Sequence, residues 1–96
     1  MRKFGENLAW TIEYDEGALA DLKKLDRQIQ REILDYIKKR VGGSEDPRAF
    51  GKPLRHGKFG LWRYPVRDYR IICELRDAQL IVLVIAVGHR STVYEK

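Results

Sequence analysis

The sequence predicts an α+β fold: a small, twisted, largely antiparallel sheet with an N-terminal helical hairpin packed on it, in the order β-α-α-β-β-β. Three observations lead there. "LAWTIEY" (8–14) alternates apolar and polar residues at the strand period. Two apolar stripes at helical spacing follow, broken only at "LDRQ" and closed by Gly42-Gly43. Beyond residue 60 come three further apolar runs whose links are too short for crossover helices, so neighbouring strands are antiparallel hairpins.

In the first run Trp10, Ile12 and Tyr14 share one side while Thr11 and Glu13 take the other, giving a strand with one buried face. Asp15 offers a helix N-cap, and Glu16 places negative charge in the first turn. Ala18, Leu19, Leu22 and Leu25 form the buried face of that helix. Asp26 caps the second, whose stripe is Ile29, Ile33, Ile37 and Val41. From Ser44 to Gly60 two prolines and several glycines predict a loop with one helical turn near "PRAF". Strands are expected at 61–66, 69–75 and 79–87. "QLIVLVIAV" is apolar on both faces and reads as a central strand. Ninety-six residues make one small domain, 1–96.

Composition narrows the function. No run approaches the roughly 20 apolar residues of a membrane helix, and "MRKFGENLAW" lacks the apolar core of a secretory signal. The lone Cys73, inside "RIICEL", reads as a core hydrophobe without a disulfide. A cytoplasmic protein with no membrane partner is expected. Charge is uneven: residues 1–46 carry nine bases against ten acids, residues 47–96 ten against four. Seven of those ten bases lie between Arg48 and Arg70. One basic face for a polyanion or an acidic partner is one reading of this asymmetry; a basic surface serving solubility alone is the other.

Several chemistries lack their residues. His56 and His89 stand 33 positions apart and no Cys/His cluster has ligand spacing, so neither metal nor cofactor is expected. No glycine-rich phosphate loop follows a strand, and no serine sits in a nucleophile elbow. What remains is arginine, lysine, aromatic rings and histidine. Arginine grips phosphate with a planar fork, and rings stack on unpaired bases. RNA carries its own nucleophile, the 2′-hydroxyl, so an enzyme that aligns it needs only acid–base help and charge stabilisation. His89, in "VGHRSTVYEK" just past the last expected strand, is the candidate for proton exchange; His56 is a loop residue.

The blocks "GKPLRHGKFGLWRYPVRDYRIICEL" and "LIVLVIAVGHRSTVYEK", preceded by the helical hairpin, resemble the RelE/ParE superfamily of bacterial toxin–antitoxin toxins over residues 8–95. The resemblance implies the element order already read. For the RelE branch it also implies an endoribonuclease that enters the ribosomal A site and cuts translated mRNA, leaving a cyclic phosphate and a 5′-hydroxyl and so inhibiting translation. Carried over residue by residue, it points to Arg63 after Trp62, Arg70 of the "YR" pair, His89 and Arg90 after the "VG" turn, and Tyr94 near the end. Arg63, Arg70 and Arg90 would clamp the scissile phosphate, His89 exchange protons, and Tyr94 stack on or orient a base. Lys52, Arg55, Lys58 and Arg67 would contact the RNA backbone. Trp62 and Tyr69 read as core anchors. A cognate antitoxin, the ribosome and mRNA are the implied partners, with DNA reached only through the antitoxin.

The pattern is not complete. Pro65 stands where the branch commonly has a second basic residue, and proline marks an edge position or bulge. Arg67 replaces a glycine frequent in the turn. Only two residues follow Tyr94, which leaves no room for the C-terminal helix some members carry. A ParE-like inhibitor of DNA gyrase without nuclease activity is therefore the alternative, and a non-catalytic nucleic-acid-binding domain the third reading.

Overall fold

Trp10, Ile12 and Tyr14 do turn to one side in the computed structural model, which describes residues 9–54 and 60–93. They belong to or flank β1 (Thr11–Tyr14), with Thr11 and Glu13 exposed. Two helices follow, α1 (Glu16–Lys23) and α2 (Arg27–Tyr36), then strands β2 (Lys52–Pro53), β3 (Leu61–Val66), β4 (Tyr69–Arg76) and β5 (Ile81–His89). The sheet order is β1-β5-β4-β3-β2. Its pairs are antiparallel except β1 with β5, which is parallel. The expected fold class holds, with one strand more than foreseen: β2 has only two residues and ends in proline, too little for a periodic signal.

The helical stripes behave unequally. Ile33, Ile37 and Val41 are fully buried against Tyr64, Ile71 and Val84, and each such side chain contributes roughly 1.5–3 kcal/mol relative to exposure. In α1, Ala18 and Leu22 are buried, but Leu19 is 45% exposed and so leaves the predicted stripe. Asp26 caps α2 by accepting from the Gln28 N–H at 3.0 Å. Asp15 makes no such bond. Its N–H donates to the Val84 carbonyl while its own carbonyl accepts from the Leu19 N–H, so this N-cap residue joins β5 to the helix start through its backbone. α2 runs on into a π turn, Ile37–Val41, closed by Gly42 N–H to Ile37 O at 2.8 Å. Gly42 has an ordinary helical φ of −69°. Close approach favours glycine there, since a Cβ would lie 2.8 Å from Ile12 Cδ1 and that side-chain end would have to shift.

The last strand runs two residues later than expected, so His89 is its final residue rather than a loop residue beyond it. Inside it lies a bulge. Ile72 pairs with Ala86 but Cys73 with Val84, leaving Ile85 as an extra residue. Val82, Val84 and Val87 consequently all face the helices, although strict alternation forbids it. The Val87 N–H beside the bulge donates to Asp21 Oδ2 at 2.9 Å. α1 thus satisfies a group that β1, which ends opposite Val84, does not reach.

The buried Cys73 thiol is pushed well above its ordinary range by desolvation, as a core hydrophobe should be. No described helix is long and apolar enough to cross a membrane.

Candidate nucleic-acid interface

Alternation along β3 and β4 sorts their side chains between two faces. Trp62, Tyr64, Val66, Tyr69, Ile71, Cys73 and Leu75 pack toward the helices. Arg63, Pro65 and Arg70 take the opposite face, where register sets Lys52 beside Arg63 and Pro65 beside Arg70. Behind them the chain passes tightly over the sheet. A Cβ on Gly51 would lie 2.6 Å from the Tyr64 ring and 2.8 Å from the Arg63 carbonyl. Only glycine lets β2 close on β3 and bring Lys52 to Arg63.

The outcome is a concavity of about 360 Å³ lined chiefly by Phe50, Gly51, Lys52, Arg63, Pro65 and Arg70. Among the described residues no carboxylate lines it. Arg70 is fixed by its own backbone, donating from Nη1 to the carbonyls of Arg67 (3.1 Å) and Tyr69 (2.9 Å). Three cations and an apolar ring around one hollow suit a phosphate with an adjoining unpaired base.

Pro65 belongs here for a backbone reason. The Leu61 carbonyl points to the β2 side, accepting from Leu54 N–H at 3.0 Å, and residue 65 points the same way. β2 has ended by then, so the missing donor breaks no ladder bond. Pro65 is an edge position.

The other predicted residues scatter. His89 pairs with Tyr69, while Arg70 pairs with Gly88. Directly opposed residues share a face, and the His89 and Tyr69 rings do meet edge to face at 5.8 Å. Arg70 and His89 therefore leave the sheet on opposite faces. The expected convergence of all the cations with His89 on one phosphate is not what the register builds, and the Ile85 bulge is the cause. Ser91 N–H donates to His89 Nδ1 at 3.2 Å, with Ser91 Oγ at 2.8 Å from the same atom. A backbone N–H can only donate, so Nδ1 accepts and the neutral ring carries its proton on Nε2.

Arg90 lies at the sheet end, its N–H donating to Asp68 O at 2.8 Å and its Nε 4.0 Å from Asp68 Oδ1. The tail then crosses to the outer face, for a Cβ on Gly88 would lie 3.2 Å from Val93 Cβ. Arg67 corrects another expectation. It points to α2, in a two-point ion pair with Glu32 at 2.5 and 2.9 Å, and takes no part in the concavity. Arg55, Lys58 and Tyr94 fall outside the described residues.

Three residues escaped the sequence reading. Phe50 is a site residue only because the short helical turn Pro47–Phe50 is anchored by the buried Tyr64 hydroxyl donating to Pro47 O at 3.0 Å. Its signal was the aromatic closing "PRAF". Arg48, which stacks 5.5 Å over the Trp62 ring and forks onto Asp77 at 2.9 and 2.7 Å, pins the same turn. Glu32 had no signal, being 35 positions from Arg67. Among the described residues no group of acids, histidines and cysteines could hold a metal.

The described residues build an α+β module with a basic hollow on the sheet face away from its two helices, and comparison with known proteins gives its family. The model of the ParE toxin of the type II toxin–antitoxin system parDE matches residues 12–94. The chain belongs to that family, and is a toxin of the RelE/ParE superfamily of toxin–antitoxin systems. It is 31% identical to the mRNA interferase toxin RelE of Escherichia coli K12, across 93% of this chain and 94% of the relative. To toxin RelG of Mycobacterium tuberculosis it is 26% identical, across 93% and 100%. The fold matches the toxin–antitoxin complex RelBE2 from Mycobacterium tuberculosis with a TM-score of 0.77 at 26% identity, covering 85% of this chain and 92% of that one.

Proposed function

We propose that this toxin is a ribosome-dependent mRNA endoribonuclease, with Lys52, Arg63 and Arg70 holding the scissile phosphate and Phe50 against a neighbouring base. The gathering of those three cations around one hollow carries the reading. In the cleavage step the 2′-oxygen attacks phosphorus, its proton leaves, and the 5′-oxygen departs and takes up a proton. A cyclic phosphate and a 5′-hydroxyl result. Donors aimed at the extra charge of the pentacoordinate phosphorus accelerate such a step, and arginine does so without titrating near neutrality. His89 and Arg90, reached around the sheet end, engage the RNA beside that phosphate, with Tyr94 following in the tail. The 31% identity to an mRNA interferase supports this reading. An antitoxin with acidic side chains is the partner that would shield the hollow, in a salt-sensitive association.

A second reading has its own observation. Arg70 and His89 occupy opposite faces, so among the described residues the hollow holds cations but no acid–base group. That suits a toxin that binds without cutting, such as a gyrase inhibitor of the ParE kind. The deciding experiment adds the protein to a translating extract and maps the ends of a reporter mRNA. In-frame cuts with cyclic-phosphate ends, lost in Arg70→Ala, support the nuclease. Intact mRNA together with trapped gyrase–DNA complexes would replace it with the second reading.

A further inference from the structure

The β3–β4 turn carries more than a reversal of direction. Arg67, its first residue, sits at φ 55°, a left-handed conformation disfavoured by any side chain with a Cβ. Its carbonyl is nevertheless one of the two acceptors that fix the Arg70 guanidinium. Whatever holds the Arg67 peptide in place therefore also aims Arg70 into the hollow.

That holder is Glu32. Both of its oxygens take donors from Arg67, and Gln28 Nε2 donates to Oε2 at 3.0 Å, one helical turn back on α2. The hydrogen bonds from Arg67, then that from Gln28, keep the Glu32 carboxyl below its usual range, so the pair is ionised at neutral pH. The second turn residue, Asp68, is tied to Arg90 across the sheet end. An exposed ion pair adds little to global stability, but a forked one fixes geometry.

We infer that Glu32 is a positioning residue for Arg70: it clamps the Arg67 side chain, holds the strained turn, and so orients the guanidinium toward the phosphate. This rests on the reading of Arg70 as a phosphate contact. It also gives Arg67 a role behind the site rather than on the RNA.

The test uses Glu32→Ala, Arg67→Ala and the charge swap Glu32→Arg/Arg67→Glu. Hydrogen exchange of the Arg70 side-chain N–H groups is followed by NMR on the purified toxin, and mRNA cleavage in a translating extract. Both single variants should speed Arg70 exchange and cut cleavage about tenfold, with thermal midpoints within roughly 2–3 °C of wild type. The swap should restore both readouts, because it rebuilds the ion pair without an arginine at position 67. Unchanged Arg70 exchange in Glu32→Ala overturns the inference. So does a swap that restores neither readout, or loss of cleavage in Arg67→Ala alone, which would put Arg67 on the RNA. If the wild-type toxin cuts no mRNA, the functional reading falls while NMR still decides the clamp.

Discussion

The outer face at β2, β3 and β4 and the free end of β5 were equally rich in candidate residues, yet they are built differently. On the outer face simple alternation suffices: Arg63 and Arg70 emerge together because no irregularity separates them in the β3–β4 ladder. At the end of β5 one extra residue, Ile85, reverses the phase and sends His89 to the side of Tyr69. Strand period alone predicts a site only until the first bulge.

That contrast can be broken most forcefully at Arg70. Arg70→Ala should lower mRNA cleavage by about 10²-fold, the usual effect of removing a donor from a charge-stabilising site, read from fragment yields in a translating extract. His89→Ala should cost about tenfold, as expected for losing one hydrogen-bonding contact to the RNA elsewhere. The double variant separates the regions. Multiplying losses mean independent contacts, whereas a double variant no worse than Arg70→Ala means that both act on one phosphate.

Two packing changes sharpen the comparison from the stability side. Gly51→Ala drives a methyl into the Tyr64 ring and should cost about 2 kcal/mol, seen as a lower urea midpoint, with the outer face most affected. Asp21→Ala removes the acceptor of the Val87 N–H at the bulge and should cost about 1 kcal/mol. Its distinctive readout is a shifted His89 ring resonance with Arg70 unmoved.

A further effect, confined to alkaline pH and absent near neutrality, falls on the core shared by both regions. Burial raises the Tyr14 phenol to about 12 and pushes Tyr64 and Cys73 up as well. Above the ordinary values of these groups the unfolded chain has lost protons that the native state keeps. Stability must therefore fall as pH rises past about 9–10. Urea midpoints should fall through this range, and residue-specific NMR should show Tyr14 and Tyr64 ionising only with unfolding; ionisation of these two well before unfolding would count against it.

Much of this was legible beforehand. Periods of two and nearly four residues placed both helices and the four longer strands, since burying one face of each element requires such patterns. Leu19 was misplaced because spacing cannot tell how far a short helix extends over its sheet. Asp15 does stand at the N-cap, but without a side-chain cap bond, and its N–H is claimed by β5, a strand some 70 positions away. Arg67 looked like one more phosphate ligand, and only folding brings α2 and Glu32 to it.

What the chain determined by itself is local and chemical: a basic second half, alternating arginines, a hydrophobic Cys73, and strands joined by short turns. Which cations meet was decided by register, by the close passage at Gly51 and by the Ile85 bulge. Those depend on contacts between distant residues, whose energies no local pattern records.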